Sequence, residues 1–175
     1  LIGGAAFAQS QTLPPDQWLQ QADRFLSKYV IDGQVDYDAL QNQPETVARL
    51  VEIHPPTPPG SAERKAVWIN LYNLAVIQQV LRHYPLDKPT DVPDFFSEAF
   101  IPFEGGTISL DQLEKKQLLP QFPDARLHLV LVCAAVSCPP LRAGAFFAAD
   151  LDAALSRPTT AALDDPVFLR VDKSA

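Results

Sequence analysis

Ser61-Ala62-Glu63-Arg64-Lys65-Ala66-Val67-Trp68-Ile69-Asn70-Leu71-Tyr72-Asn73-Leu74-Ala75-Val76-Ile77-Gln78-Gln79-Val80-Leu81-Arg82-His83-Tyr84 is the stretch whose reading decides the fold. Ser61 offers a side-chain oxygen to the free N–H groups of a first helical turn, and Pro85 ends the helix by excluding the α conformation from the residue before it. From Ala66 to Leu81 the segment is apolar on almost every face, so the pattern predicts a helix lying in the middle of the fold. Asn70 and Asn73, at i and i+3, share one side of that helix, and Glu63 falls on the same stripe. Buried amides need partners, because each unpaired group costs about 1–3 kcal/mol. Two uses stay open for this pair: bonding the backbone of a neighbouring loop, or lining a polar pocket.

Outward from this helix, the punctuation is dense. Upstream, Asp16 to Val30 carries Trp18, Ala22, Phe25, Leu26 and Tyr29 at helical spacing, after Pro14-Pro15 and before Gly33. Val35 to Leu40 reads as a short extended or turn segment, and Pro44 to Ile53 as a second helix with Pro44 at an early position. His54-Pro55-Pro56-Thr57-Pro58-Pro59-Gly60 is a stiff loop. Downstream, a loop rich in Pro, Asp and Phe runs from Leu86 to Ala99. Ile101-Pro102-Phe103 and Thr107-Ile108 flank Glu104-Gly105-Gly106, the pattern of a hairpin whose glycines allow positive φ. Ser109-Leu110-Asp111-Gln112 starts a helix through Leu119 with a capping box. Leu127 to Cys133 reads as a buried central strand. Ala149 to Leu155 is a last helix or helical turn, and Val167 to Val171 a strand. The expected class is a single α+β domain, mostly helical, around a small, mainly antiparallel sheet.

Composition bounds the function. The 175 residues are 47% hydrophobic and 20% charged, enough for one sizeable core and inconsistent with wholesale disorder. Seventeen prolines fit short elements with rigid connections. Fourteen Lys+Arg against 21 Asp+Glu give a net charge of −7, and no basic cluster supplies a face for nucleic acid. No apolar run reaches the roughly 18 residues of a membrane span. Residues 1–8 end in Ala6-Phe7-Ala8, the small-x-small form of a signal-peptidase site, so they read as the tail of a signal peptide. The domain is then expected over residues 9–175, exported to a secreted or periplasmic setting, with further sequence expected beyond Ala175.

The chemistry concentrates in Val132-Cys133-Ala134-Ala135-Val136-Ser137-Cys138-Pro139-Pro140. In an exported protein Cys133 and Cys138 suit a disulfide, since the short loop can bring their Cα atoms within the about 4.4–6.8 Å that bridging requires. Alternatively Cys138, in a proline-frozen loop, is an accessible thiol nucleophile. A zinc site is the third option and lacks a fourth ligand. His128 is the candidate base. On a straight strand it lies about 16 Å from Cys133 and on the opposite face, so a His128–Cys138 pair requires the loop to fold back. Glu114 sits where it could orient the His128 ring. His54 and His83, at helix ends beside prolines, receive no role, and no cofactor is indicated.

Four segments, in order, resemble an uncharacterised family, domain of unknown function 547. Val35-Asp36-Tyr37-Asp38-Ala39-Leu40 resembles its VDYxAL motif, and Trp68-Ile69-Asn70-Leu71-Tyr72-Asn73 its WINxYN helix. Ile108-Ser109-Leu110-Asp111-Gln112-Leu113-Glu114 is similar to its LSLDDIEH segment. Arg126-Leu127-His128-Leu129-Val130-Leu131-Val132-Cys133 with Ser137-Cys138-Pro139-Pro140-Leu141 is similar to its RIHFALVCxxxxCPPL signature. The resemblance, which spans about Trp18 to Leu155, marks Asn70, Asn73, Glu114, His128, Cys133 and Cys138 as motif positions without giving them roles. Lys115 stands where the family usually has His, which removes one candidate base. Two functions follow as expectations. One is a cysteine-type hydrolase or transferase using Cys138, His128 and Glu114, with Asn70, Asn73 and Cys133 binding a small-molecule or peptide ligand. The other is a noncatalytic binding or scaffolding module in which the two sulfurs are bridged.

Overall fold

The structure, a computed structural model, describes residues 13–135 and 138–164. The expected signal-peptide tail at residues 1–8 and strand at residues 167–171 lie outside the described residues. The described fold is a mostly helical α+β domain built around one helix. Helix α1 (Pro15–Tyr29) is followed by strands β1 (Val30–Ile31) and β2 (Gln34–Val35), then by α2 (Tyr37–Leu40), α3 (Glu45–Glu52) and the central α4 (Ala62–Arg82). Strands β3 (Ile101–Phe103) and β4 (Gly106–Ile108) come next. After them α5 (Leu110–Gln112) widens into a π-helical stretch at Leu113–Leu118 and closes as α6 (Leu119–Gln121). Pro120 accounts for the widening, since it cannot donate to the carbonyl four residues back and its ring presses on it. The last helix among the described residues is α7 (Leu151–Asp164).

Helix α4 is buried along nearly its whole length, with Ala66, Val67, Ile69, Leu71, Leu74 and Ala75 fully enclosed. Its start is set by Ser61, whose Oγ accepts the Arg64 N–H at 3.0 Å. Helix α1 packs its Trp18, Ala22, Leu26 stripe into the same core, and the Trp18 indole N–H donates to the Leu50 carbonyl of α3 at 2.9 Å. The strands form two separate antiparallel hairpins, β1–β2 and β3–β4, each of two strands. Both turn on residues with positive φ: Asp32 and Gly33 at 51° and 81°, Glu104 and Gly105 at 44° and 84°, the backbone that matches strand twist in a two-residue turn. The second hairpin agrees with the sequence reading; the first, over an Asp-Gly pair, was not expected. The expected capping box is present at Ser109 and Gln112.

Two expectations are corrected. Leu127 to Cys133 is no strand. Asp124 caps a 3-10 helix over Ala125–Leu129 by accepting the Arg126 N–H at 3.1 Å, and irregular chain follows. A short apolar run does not distinguish strand from other buried backbone, and here side-chain amides from α4 supply the pairing a neighbouring strand would give. The argument that placed His128 and Cys133 on opposite strand faces falls with it. The final helix also extends beyond Leu155 to Asp164 despite Pro158.

Candidate functional site

The described residues of the segment from Val130 to Phe146 have no regular secondary structure, yet the segment is pinned at five places. Asn73 is 1% exposed; its Nδ2–H donates to the Val130 carbonyl at 3.0 Å and its Oδ1 accepts the Val132 N–H at 3.1 Å. Asn70, fully buried, does the same one turn earlier: Nδ2–H donates to the Phe146 carbonyl at 2.8 Å and Oδ1 accepts the Phe146 N–H at 3.0 Å. Each amide thus acts as one strand residue would. Both edges of both side chains are occupied by loop backbone, the first of the two uses left open by the sequence. Asp23 of α1 accepts the Ala145 N–H at 2.9 Å. The Leu141 N–H donates to the Gly33 carbonyl at 3.0 Å. The fifth pin is covalent: Cys133 and Cys138 are joined as a disulfide, with Cα atoms 6.0 Å apart. The Cys133 N–H points at Cys138 Sγ, 3.1 Å away.

This braced loop walls a cleft of about 610 Å³. It is lined by Val76, Ile77 and Val80 of α4, by Tyr37 and Tyr84, and by Val132, Cys138 and Pro140. The two tyrosine rings stack at 5.7 Å between centroids. The Tyr84 hydroxyl donates to Asp38 Oδ1 at 2.6 Å, a bond that raises its pKa, and burial raises that of Tyr37. Both phenols therefore stay neutral donors at physiological pH. Gly33 sits directly on Pro140, where a Cβ would overlap the proline ring. A mostly apolar hollow of this size with a few polar groups at its edge has the form of a ligand site.

The structure brings Glu114 and His128 together, with Glu114 Oε1 3.9 Å from His128 Nδ1, and brings Cys133 and Cys138 together. It does not put these pairs into one hollow: neither His128 nor Glu114 lines the cleft that Cys138 walls. His128, expected to be buried, is 60% exposed on its 3-10 helix. Glu114 turns its other oxygen inward and accepts from the Tyr72 hydroxyl at 3.3 Å. Burial first, and the Glu114 charge second, raise the Tyr72 pKa. With the sulfurs bridged, neither is a nucleophile in this state. Among the described residues no three His, Cys, Asp or Glu side chains converge as metal ligands.

Sequence reasoning missed Tyr37 and Tyr84 as cleft walls. Tyr37 lies inside the Val35–Leu40 motif, and that position was the available signal. It also missed Asp124, whose carboxylate receives Lys65 Nζ of α4 at 2.6 Å and Arg126 Nη2 at 2.9 Å. Arg126 Nη1 reaches Asp152 Oδ1 of α7 at 2.8 Å. Hydrogen bonds from Arg126 foremost, then from Lys65, hold the Asp124 carboxyl well below the usual carboxylate range, against the opposing effect of partial burial.

Fold and site together define a small α+β domain with an apolar cleft braced by a disulfide loop. The family described as Protein of unknown function, DUF547 matches residues 59–161, more than half of the chain, and the chain belongs to that family. No curated protein and no solved structure matches it.

Proposed function

We propose that this domain is a noncatalytic binding module, exported from the cytoplasm, that holds a small apolar ligand or a peptide side chain in the cleft beside the Cys133–Cys138 bridge. The observation that carries the reading is the cleft itself: the first and fourth family-like motifs line it, through Tyr37, Val132 and Cys138, and Asn73 of the second holds the Val132 wall in place. The candidate thiol is spent in a bridge, the candidate base faces solvent, and the candidate binding amides are saturated by backbone. These facts favour a scaffold over an acyl-transfer site, which needs nucleophile and base within hydrogen-bond reach. The disulfide supports an oxidising compartment. No helix among the described residues is long and apolar enough to cross a membrane.

A neutral solvatochromic dye such as Nile red tests the reading. Saturable one-to-one binding is expected for the oxidised chain. Leu86→Asp, at the half-buried cleft margin, is expected to weaken it at least fivefold in the absence of urea, where a cooperative urea transition shows the variant still folded. Absence of saturable binding would sink the proposal. Cys138 at the cleft wall favours a second reading after reduction: cleavage of an activated ester that appears with a reductant and disappears in Cys138→Ser would carry the thiol function instead.

A further inference from the structure

A second concavity, of about 480 Å³, lies between α1 and α3 and shares no lining residue with the cleft beside the disulfide. Phe25 and Tyr29 of α1 and Leu50 of α3 line it with side chains that are otherwise almost wholly buried. Arg24 and Lys28 of α1 and Arg49 of α3 line it too, and all three are exposed. Arg24 and Lys28 stand at i and i+4, on one face of α1, and Lys28 Nζ lies 4.6 Å from the Tyr29 ring centre. Packed helices run about 8–10 Å apart, so these long side chains can bring their nitrogens onto one small ligand.

The chain as a whole carries a net charge of −7, and Lys65, Arg82, Lys88, Lys115 and Arg126 each have a carboxylate partner. Arg24, Lys28 and Arg49 form no ion pair among the described residues. Against them stands one lining carboxylate, Glu45. Asp23, next to Arg24 in the chain, is engaged elsewhere, accepting the Ala145 N–H at 2.9 Å. Three cations and one carboxylate leave a formal charge of +2 on this concavity, in a molecule of the opposite sign.

The geometry points to a binding site for a small phosphate monoester with an apolar body, its dianion held by Arg24, Lys28 and Arg49 and its hydrocarbon laid against Phe25, Tyr29 and Leu50. Charge and donor chemistry select the class. A dianion matches the formal charge of the site. A guanidinium offers paired N–H donors that fit two oxygens of one phosphate group, and Gln21, Gln43 and Thr46, also on the lining, can donate to the remaining oxygen. A cation would meet three like charges, and an uncharged molecule would answer none of them. A dicarboxylate splits its charge between two ends, whereas a monoester puts both charges on one centre and leaves the rest of the molecule free to cover hydrocarbon. An extended polyanion, such as a nucleic acid or an anionic membrane, has to approach the negative charge of the whole molecule; a small ligand inside the concavity meets only the local field. Either this assignment or that of the cleft beside the disulfide can fail without the other.

Backbone amide shifts along α1 and α3 of the isotope-labelled chain read the binding. Phenyl phosphate is the principal probe. Phenol is its neutral counterpart, phenyltrimethylammonium the cation, inorganic phosphate the dianion without a body, and phthalate the dicarboxylate. Expected is a saturable shift with phenyl phosphate at a half-saturation of about 0.1–1 mM in low salt. That affinity should weaken at least threefold between about 0.02 M and about 0.2 M salt, since exposed charges are screened. Phenol and phenyltrimethylammonium should bind at least tenfold more weakly, inorganic phosphate and phthalate at least threefold. Arg24→Gln and Arg49→Gln should each weaken phenyl phosphate at least fivefold while keeping a cooperative urea transition, because neither removes an ion pair. Glu45→Gln should move the other way and tighten it at least twofold. Phosphatidylcholine vesicles containing phosphatidic acid present the same monoester on a lipid surface, and the chain should sediment with them no more than with phosphatidylcholine alone. The assignment is overturned by no saturable shift with phenyl phosphate, by a counterpart that binds as tightly, or by arginine variants that bind like the parent. Weaker binding by Glu45→Gln, or capture on the phosphatidic acid vesicles, would overturn it as well.

Discussion

Replacing Asn73 with alanine should loosen the whole cysteine loop, and the structure sets the size of the effect. The substitution deletes two hydrogen bonds, to the Val130 carbonyl at 3.0 Å and from the Val132 N–H at 3.1 Å. The residues left behind are only 6% and 8% exposed, so both backbone groups become buried and unpaired. At about 1–3 kcal/mol for each orphaned group, the loss is about 2–6 kcal/mol. Irregular chain can tilt partly toward water, which favours the lower half of that range, about 3 kcal/mol. With an m-value of about 2 kcal/mol/M, the urea midpoint should fall by about 1.5 M at constant m. Emission from the two buried tryptophans, Trp18 and Trp68, reports the transition. Amide exchange at Val132 should accelerate before global unfolding does. A midpoint within about 0.15 M of the parent, with Val132 still protected, would refute the reasoning: the loop would then hold itself without α4.

Three further outcomes follow from the same geometry. Reducing the disulfide opens a loop of about six residues, for which chain entropy gives about 2 kcal/mol, so dithiothreitol should lower the urea midpoint by about 1 M; an unchanged midpoint would deny the bridge a structural role. Gly33→Ala places a Cβ at φ +81° against Pro140 and should cost at least about 1 kcal/mol, read as a lower thermal midpoint, while Gly105→Ala, whose Cβ would meet no neighbour within 4 Å, carries only the backbone part. Stability against pH should show two steps. Because the folded His54 pKa lies below 6.5, the unfolded chain takes up that proton first, so stability falls as pH drops from about 6.5 toward the folded value, and His54→Gln flattens that step. The folded Asp124 pKa is also depressed, so its contribution is present above the ordinary carboxylate pKa and is lost on acidification toward its folded value; Asp124→Asn should remove that acid limb, and an unaltered limb would contradict the network.

The helices were legible because their signals are local. Ser61, Pro85 and the apolar faces between them fix α4, and Ser109 with Gln112 fixes the start of α5. The loop from Val130 to Phe146 was not legible as structure, because its pairing partners are single side chains: Asn70 and Asn73, some 60 to 75 residues earlier in the chain. The sequence did mark those asparagines as buried amides in need of partners; it could not say which backbone they serve. Likewise Leu127 to Cys133 has the composition of a strand, but no strand pairs with it among the described residues, and its backbone runs from a 3-10 helix into irregular chain. Spacing suggested that Cys133 and Cys138 could bridge, and it left open a reactive thiol and, with a ligand short, a zinc site. The Tyr37–Tyr84 stack was invisible because it joins two short elements across the fold.

The central claim is that the two cysteines brace a binding cleft as a disulfide and do not present a nucleophile to it. Thiol titration of the native, untreated chain, with and without denaturant, addresses this most directly. The account predicts no reactive sulfur under either condition, and two per chain only after reductant. A native-state thiol that alkylates with a pH midpoint well below the ordinary cysteine value of about 8.5 would contradict it.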